Sequence, residues 1–421
     1  MRHDLLIHGG QVVTESGVIQ AEVLILDGVV RAVAPGLLAA DDTPRFDATG
    51  KLVFPGLIDP QVHFREPGLT HKENIESGSR AALAGGITAF MEMPNTNPMT
   101  IDPAALADKL ERANKTAFTD YAFFVGGTAE NADQLGEYET LPGCAGIKIF
   151  MGSSTGNLLV RDDPTLERIL RGGTRRVTVH SEDDFRLNDR YKAMADTAKI
   201  TDHNNIRDVQ CAVMATRRML DLVELTGRPV HILHISTAEE LEMVRERDLG
   251  DLVTLEATPN HLFLHAPDCY EKHGSHAQMN PPVRERRHQD ALRQAAAEGL
   301  ITCIGSDHAP HTLEEKAKTY PYSPSGIPGT QTILPLLLTA VRDGWLKLED
   351  IVRLCVRGPV RVYGMQNRGP FAPGIEGNVS IVDPTITTPL ALDWLESNAG
   401  WSPYVGHELA GLPVATILRG R

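Results

Sequence analysis

LITCIGSDHAPH, residues 300–311, joins two textures of sequence at one point. Its first half is short and apolar, as a buried strand is. Its second half places the Asp307 carboxylate and the imidazoles of His308 and His311 close together, with Pro310 stiffening the segment between them. A parallel barrel presents its chemistry in this way, at the C-terminal ends of its strands. Taken alone, the stretch reads equally well as a loop in which Asp307 caps a turn. The rest of the chain has to separate the two.

Working outward, the same unit recurs. VFPGLID (53–59), ITAFMEM (87–93), YAFFVG (121–126), GIKIFM (146–151), RVTVHSE (176–182), PVHILHIS (229–236) and DLVTLEAT (251–258) are further apolar strand candidates. Helical segments alternate with them: 76–86, 102–115, a stretch around 129–139, 164–173, 206–227, 237–250, 284–299 and one near 330–343. Thr237 and Glu240 have the spacing of a capping box. Strand–helix alternation implies parallel strands joined by crossovers. Eight such units in roughly 300 residues predict a (β/α)8 barrel over residues 54–365. An open doubly wound sheet fits less well, because no GxGxxG follows the first strand. On either side the texture is different. Residues 1–53 alternate apolar and polar residues around glycine turns, and 369–383 and 412–421 have the same character. They predict one small β-sandwich-like module built from both termini, 1–53 plus 366–421.

Composition narrows the function. The chain has 421 residues, 42% hydrophobic and 23% charged, with a formal charge of −14. That balance suits a globular protein and argues against nucleic acid or an anionic membrane as partner. The five cysteines are scattered and include no CxxC pair, which fits a reducing, cytoplasmic setting. The N-terminus lacks the pattern of a signal peptide, and no run of about 18 apolar residues exists.

The strand ends carry titratable residues: Asp59, Gln61, His63 and Arg65 after the first strand, Asn95 after the second, and Lys148 within the fourth. His180 and Glu182 follow the fifth, His231 and His234 mark the sixth, Glu256 the seventh, and Asp307, His308 and His311 the eighth. Any one histidine could be a satisfied core residue. His63, His180, His234 and Asp307 together are hard to explain by packing, and imidazole with carboxylate suits a zinc-like ion. Such an ion lowers the pKa of a bound water that can attack a carbonyl carbon. Lys148 in an apolar strand is costly unless neutral or paired. A carbamate formed with carbon dioxide is one solution; an ion pair, or an ammonium reaching the barrel mouth, is another.

These residues sit in recognisable segments. GLIDPQVHFREPGLTHKENIESGSRAALAGGITAFMEMPNTNP (56–98) resembles the signature of the dihydroorotases of the amidohydrolase superfamily. GIKIFMGSSTGN, VHSED, HILHIST, NPPVRE and IGSDHAPHT follow in the same order. The resemblance implies reversible, zinc-dependent cyclisation of N-carbamoyl-L-aspartate to L-dihydroorotate. It implies that His63 ligates a first metal, His180 and His234 a second, and N6-carboxylated Lys148 both. Asp307 would ligate the first metal and shuttle a proton. Arg65, Asn95 and His311 would hold the substrate carboxylate, with Asn280 and the Ser325–Gly326 backbone at the ring. His231 matches no ligand position, and His308 is expected to support its neighbours. The segment 312–329 is a candidate substrate cover, or a plain surface loop.

One position departs from the pattern. Where the family has HxH after the first strand, this chain has Gln61-Val62-His63. An amide oxygen is a poorer zinc ligand than imidazole, so one ion or two is left open. The departure keeps open a low-activity subunit supporting a transcarbamoylase; among enzymes, the other reading is a related cyclic amidohydrolase of hydantoinase or allantoinase type. The small-molecule substrate is the expected partner, with a homodimer or a transcarbamoylase complex as the expected assemblies.

Overall fold

The computed structural model describes residues 3–153 and 158–421, so residues 154–157 of the GIKIFMGSSTGN segment lie outside the described residues. Seven short strands open the chain: β1 (Leu5–His8), β2 (Gln11–Thr14), β3 (Gly17–Gln20), β4 (Glu22–Leu26), β5 (Val29–Ala34), β6 (Arg45–Asp47) and β7 (Leu52–Pro55). The next eight are β8 (Leu57–Val62), β9 (Ile87–Glu92), β10 (Asp120–Gly126), β11 (Cys144–Phe150), β12 (Val177–His180), β13 (Val230–Ile232), β14 (Val253–Ala257) and β15 (Cys303–Ile304). They form one sheet in sequence order, each pair parallel. Helices pack outside, so β8, β9, β11 and β12 are buried along their whole length. This is why their sequences read as mostly apolar runs, interrupted by Asp59, Gln61, Glu92 and Lys148.

The sheet curls until its ends meet. Val62 forms a parallel bridge with His308, and the His63 N–H donates to the His308 carbonyl at 2.7 Å. Asp59 completes the seam, accepting from the Ser306 N–H at 3.0 Å and the Ser306 hydroxyl at 2.5 Å. The architecture is a (β/α)8 barrel.

The terminal strands build two further sheets, in the orders β5-β4-β1-β6 and β17-β16-β7-β2-β3, where β16 is Val379–Pro389 and β17 is Glu408–Ile417. Ile7, Val12, Val23, Ile25, Val53, Val379 and Ile381 form the apolar layer they share.

Three elements differ from the sequence reading. VFPGLID is not one strand: Leu52–Pro55 pairs with β16 and β2, and the barrel begins only at Leu57. The change of sheet occurs at Gly56, where a Cβ would lie 2.5 Å from the Thr88 hydroxyl and 2.7 Å from the Asn378 Cβ. The helix expected from 206 starts at Val209, capped by Asp208, because Arg207 leaves helical geometry to meet Glu182. The helical stretch near 129–139 shrinks to Leu135–Tyr138. The capping box forms as the spacing implies, Thr237 accepting from the Glu240 N–H at 3.1 Å.

Candidate functional site

The polar residues converge at the C-terminal mouth of the barrel. Gln61, His63, Arg65, Asn95, Lys148, His180, His234, Asn280, Asp307, Ser325 and Gly326 line one small cavity together with Phe150. His311 lies just behind its wall, against Arg65 and Ser325. Arg65, His234 and Asp307 have φ of 67°, 35° and 48°. Non-glycine residues in this left-handed region store backbone strain of order 1 kcal/mol or more each. Here the strain sits where side chains must be turned inward just past a strand.

His180 and His234 form one half of the site. The charged Arg207 guanidinium is ion-paired to Glu182, and the Glu182 Oε2 lies 3.0 Å from His180 Nε2. Burial works against the Glu182 charge, but Arg207 and His180 outweigh it and hold its carboxyl well below the usual range. A carboxylate can only accept, so His180 carries its proton on Nε2 and turns the Nδ1 lone pair inward. That Nδ1 faces His234 Nε2 at 3.1 Å. Burial pushes both imidazoles below their ordinary pKa, so they stay neutral. Two inward nitrogens at this spacing suit neighbouring ligands of a tetrahedral zinc, whose N–N edge is about 3.3 Å at Zn–N of about 2.0–2.1 Å. Lys148 lies beside them, its ammonium nitrogen 4.5 Å from the Phe150 ring centre. Burial pulls the Lys148 pKa down to about 7, against the opposing pull of Asp307 and Glu256.

The other half is His63, Asp307 and Gln61. His63 Nδ1 lies 2.7 Å from Asn95 Oδ1, and His63 Nε2 lies 3.2 Å from Asp307 Oδ1. The amide oxygen of Asn95 takes the Nδ1 proton and leaves Nε2 to face Asp307. Gln61 donates its amide N–H to the same Asp307 oxygen at 3.0 Å, and its Oε1 is buried without a hydrogen-bond partner among the described residues. Gln61 therefore acts first as a donor that fixes Asp307.

The third group is Arg65 and His311. Lys72 is ion-paired to Glu315 at 3.1 Å and lies 3.2 Å from His311 Nδ1. Nδ1 also lies 3.4 Å from Glu315 Oε2, so the Ser325 carbonyl, which can only accept, sets the tautomer: the proton of His311 sits on Nε2, and Nδ1 accepts from the Lys72 ammonium. Nε2–H then donates to the Ser325 carbonyl at 3.0 Å. Burial and the surrounding cations Arg65, Lys72 and Lys316 keep this imidazole far below its usual pKa, hence neutral. Arg65 Nη2 approaches the same Nε2–H at 3.3 Å and finds no lone pair there. Nη1 of Arg65 is buried without a partner among the described residues, while Nε–H donates to the Pro310 carbonyl at 3.2 Å. Among the described residues, the fully buried guanidinium thus keeps Nη1 without a partner and Nη2 facing only the Nε2–H of His311.

At the ring side, Asn280 Oδ1 is a buried acceptor without a partner among the described residues. Gly326 is already engaged: its N–H donates to Gln278 O at 2.8 Å and its carbonyl accepts from Lys316 at 3.0 Å. At φ of 146°, a Cβ there would lie 2.3 Å from the Ala309 carbonyl, so only glycine fits this wall. Segment 312–329 is pinned at several points. Lys316 also reaches the Pro324 and Gln278 carbonyls, and Ser323 bonds Gln278. His308 supports the site as a brace between Glu73 and the Gly329–Thr330 backbone N–H groups. Sequence reasoning missed the roles of Lys72, Glu315, Arg207, Lys316 and Phe150. Lys72 sits inside the quoted signature as HKEN, and that position was the available signal.

Comparison with known proteins fits this geometry. The amidohydrolase family model matches residues 52–406. The chain belongs to the amidohydrolase family. The dihydroorotase of Methanosarcina mazei is 34% identical over 99% of this chain and 93% of its own length. That of Geobacter sp. strain M21 is 35% identical, covering 99% and 98%. Among solved structures, the L-hydantoinase of Arthrobacter aurescens superposes with a TM-score of 0.94 at 28% identity, covering 99% of this chain and 95% of that one. The dihydropyrimidinase of Brevibacillus agri gives 0.91 at 28%, covering 99% and 94%. As an amidohydrolase, the chain is an enzyme of hydrolytic chemistry.

Proposed function

We propose that this amidohydrolase is a dihydroorotase, interconverting N-carbamoyl-L-aspartate and L-dihydroorotate. The unsatisfied donors of Arg65 carry the reading. A buried guanidinium with two amino groups lacking acceptors is costly unless a ligand supplies an anion of matching fork geometry. The dihydroorotate carboxylate is such an anion. A neutral hydantoin or dihydrouracil ring would leave those donors unpaired, which is the kind of mismatch that polar sites reject.

The donor chemistry fits zinc, with His180, His234 and N6-carboxylated Lys148 on one side and His63 and Asp307 on the other as the residues that would hold one or two ions. Bound there, zinc would supply Lewis acidity toward the ring amide and a water of lowered pKa. Asp307 takes the proton of the attacking water and returns it to the leaving ring nitrogen, as general base and then general acid. Gln61 and His63 fix the orientation of its carboxylate. Arg65 binds the substrate carboxylate, Asn95 reaches the same region from His63, and Asn280 offers its oxygen to a ring N–H. Lys72, through His311, keeps the Ser325 wall in register. In the synthetic direction the same groups run in reverse, Asp307 taking the proton of the ureido nitrogen as the ring closes.

The structural likeness to hydantoinases supports a second reading, a related cyclic amidohydrolase. One assay separates them: turnover of dihydroorotate, dihydrouracil and hydantoin by the purified chain, with metal content measured on the same sample. Turnover of the neutral rings without dihydroorotate would overturn the proposal. Full metal occupancy with no turnover of any ring would favour the supporting-subunit reading, in a homodimer or a transcarbamoylase complex, which a size measurement would reveal. All five cysteines are free and buried, and among the described residues no helix is long and apolar enough to cross a membrane. Both support a cytoplasmic setting.

A further inference from the structure

Among the described residues, one group of three ligand-type side chains already has its ligand atoms within 4.8 Å of one another, and it is not the catalytic set. It consists of His231, Glu256 and Cys303, from the adjacent parallel strands β13, β14 and β15, all buried. His231 Nε2 is 3.6 Å from Glu256 Oε2 and 3.5 Å from Cys303 Sγ, and Sγ is 3.9 Å from the same Oε2. We propose that His231, Glu256 and Cys303 form a second, sulfur-containing zinc site inside the barrel, separate from the catalytic centre.

The spacing is that of three corners of a tetrahedron. Zinc bonds of about 2.0–2.1 Å to nitrogen, 2.0–2.2 Å to oxygen and 2.3 Å to sulfur give ligand–ligand edges of about 3.3–3.6 Å. The two edges at His231 already match, and the third needs a shift of a few tenths of an ångström. The imidazole is set in the required tautomer. The Thr254 hydroxyl donates to the Val230 carbonyl at 3.3 Å, so it accepts the His231 Nδ1 proton at 2.8 Å. Nε2 is thereby left as a lone pair aimed at the carboxylate and the sulfur, the arrangement in which an outer hydrogen bond orients a metal-binding histidine. Glu256 Oε1 is buried without a hydrogen-bond partner among the described residues. The backbone gives the carboxylate room: a Cβ at Gly305 would lie 2.6 Å from Glu256 Oε2. His, carboxylate and thiolate are ordinary zinc ligands, and this mixture is softer than the sulfur-free catalytic set.

Burial and the neighbouring Asp59 and Asp307 favour the protonated Glu256 carboxyl, so binding converts both it and the Cys303 thiol to their anions, and the two protons leave to solvent. Without a metal, the same three groups would be joined by protons, with the thiol donating to His231 Nε2. The two states are told apart spectroscopically. The full chain is reconstituted with cobalt(II) in place of zinc. A thiolate ligand gives a near-ultraviolet sulfur-to-cobalt charge-transfer band, and the catalytic set of His63, His180, His234, Lys148 and Asp307 contains no sulfur to produce it. The wild-type chain should show the band, and Cys303→Ala should lose it together with one metal equivalent per chain in elemental analysis. Absence of the band in cobalt-loaded wild type overturns the site, and so does a folded Cys303→Ala chain that keeps the full metal count. The wild-type spectrum decides the matter even if the variant does not fold. A failure of the catalytic proposal would appear in turnover and leave this band unchanged.

Discussion

Replacing Arg65 by methionine tests the proposed recognition directly. Methionine keeps most of the side-chain length and removes the fork. Arg65 already tolerates its positive φ as a non-glycine residue, so the backbone demand is unchanged. In the wild type, two amino groups of a fully buried guanidinium would meet the substrate carboxylate. Truncating one member of a buried, hydrogen-bonded charge pair costs about 2–5 kcal/mol. At about 1.4 kcal/mol per tenfold, the middle of that range lowers kcat/KM for dihydroorotate by about 300-fold. The substrate can be truncated as well: dihydrouracil is the same ring without the carboxylate. The wild type should prefer dihydroorotate by a factor of similar size, and Arg65→Met should collapse that preference toward parity. The assay is ring opening of both compounds followed by loss of ring absorbance, with thermal melting to show that the variant is folded. If Arg65→Met lowered both rates equally and left the preference intact, Arg65 would not be the carboxylate receptor, and the identification of the substrate would fall with it.

The remaining predictions concern the reacting end of the site. Asp307→Ala should lower kcat by at least about 10²–10⁴-fold, the usual share of a general acid–base, while the melting curve stays cooperative; near-normal turnover would remove Asp307 from the proton path. Glu182→Gln should weaken metal retention by about 10–100-fold in a chelator competition, because the amide is uncharged and leaves Arg207 and His180 to compete for one acceptor oxygen; unchanged retention would mean that His180 is held by packing alone. Gln61→His should raise the metal count per chain if Gln61 limits the first site, and an equal count in both chains would show that it does not. For Lys148, carbon dioxide reacts only with the neutral amine, which an unperturbed lysine of pKa about 10.4 offers in about one molecule per 2,500 at pH 7. With its pKa pulled down to about 7, Lys148 offers about half. Carbamate formation on the metal-free chain, read by carbon-13 NMR with labelled bicarbonate, should therefore decline about tenfold per pH unit below 7 and level off above it. A carbamate yield still climbing steeply between pH 8 and 10 would place the amine in an ordinary solvated environment.

The barrel was legible because its strands are buried on both faces. Runs such as GIKIFM and ITAFMEM are buried throughout and mostly apolar, and a strand–helix rhythm survives without any knowledge of pairing. What escaped was decided by contacts distant in sequence. VFPGLID looks like one strand, yet it divides at Gly56 because Thr88 and Asn378 close in on that one backbone position. The helix expected at 206 starts three residues later because Arg207 is drawn to Glu182, a residue in another loop. Local propensity carries no signal for either.

The candidate site divides along the same line. Which residues gather at the mouth of the barrel follows from their positions at strand ends, and the cavity lining contains them. What each side chain can do depends on the partner that takes its proton, and that partner lies elsewhere in the chain. Glu182 makes His180 present Nδ1, Asn95 makes His63 present Nε2, and the Ser325 carbonyl, with Lys72 at Nδ1, holds the proton of His311 on Nε2. The last of these matters most. Were Lys72 absent, His311 could turn its Nε2 lone pair toward Arg65 and satisfy the guanidinium internally. Lys72 at Nδ1 and the Ser325 carbonyl at Nε2 together oppose that, and the buried charge of Arg65 is left waiting for an anion. On this argument Lys72→Met should weaken dihydroorotate binding without touching the substrate, by letting His311 compete for the fork. Its effect should appear mainly in KM, and combining it with Arg65→Met should add little, because the fork it protects is already gone.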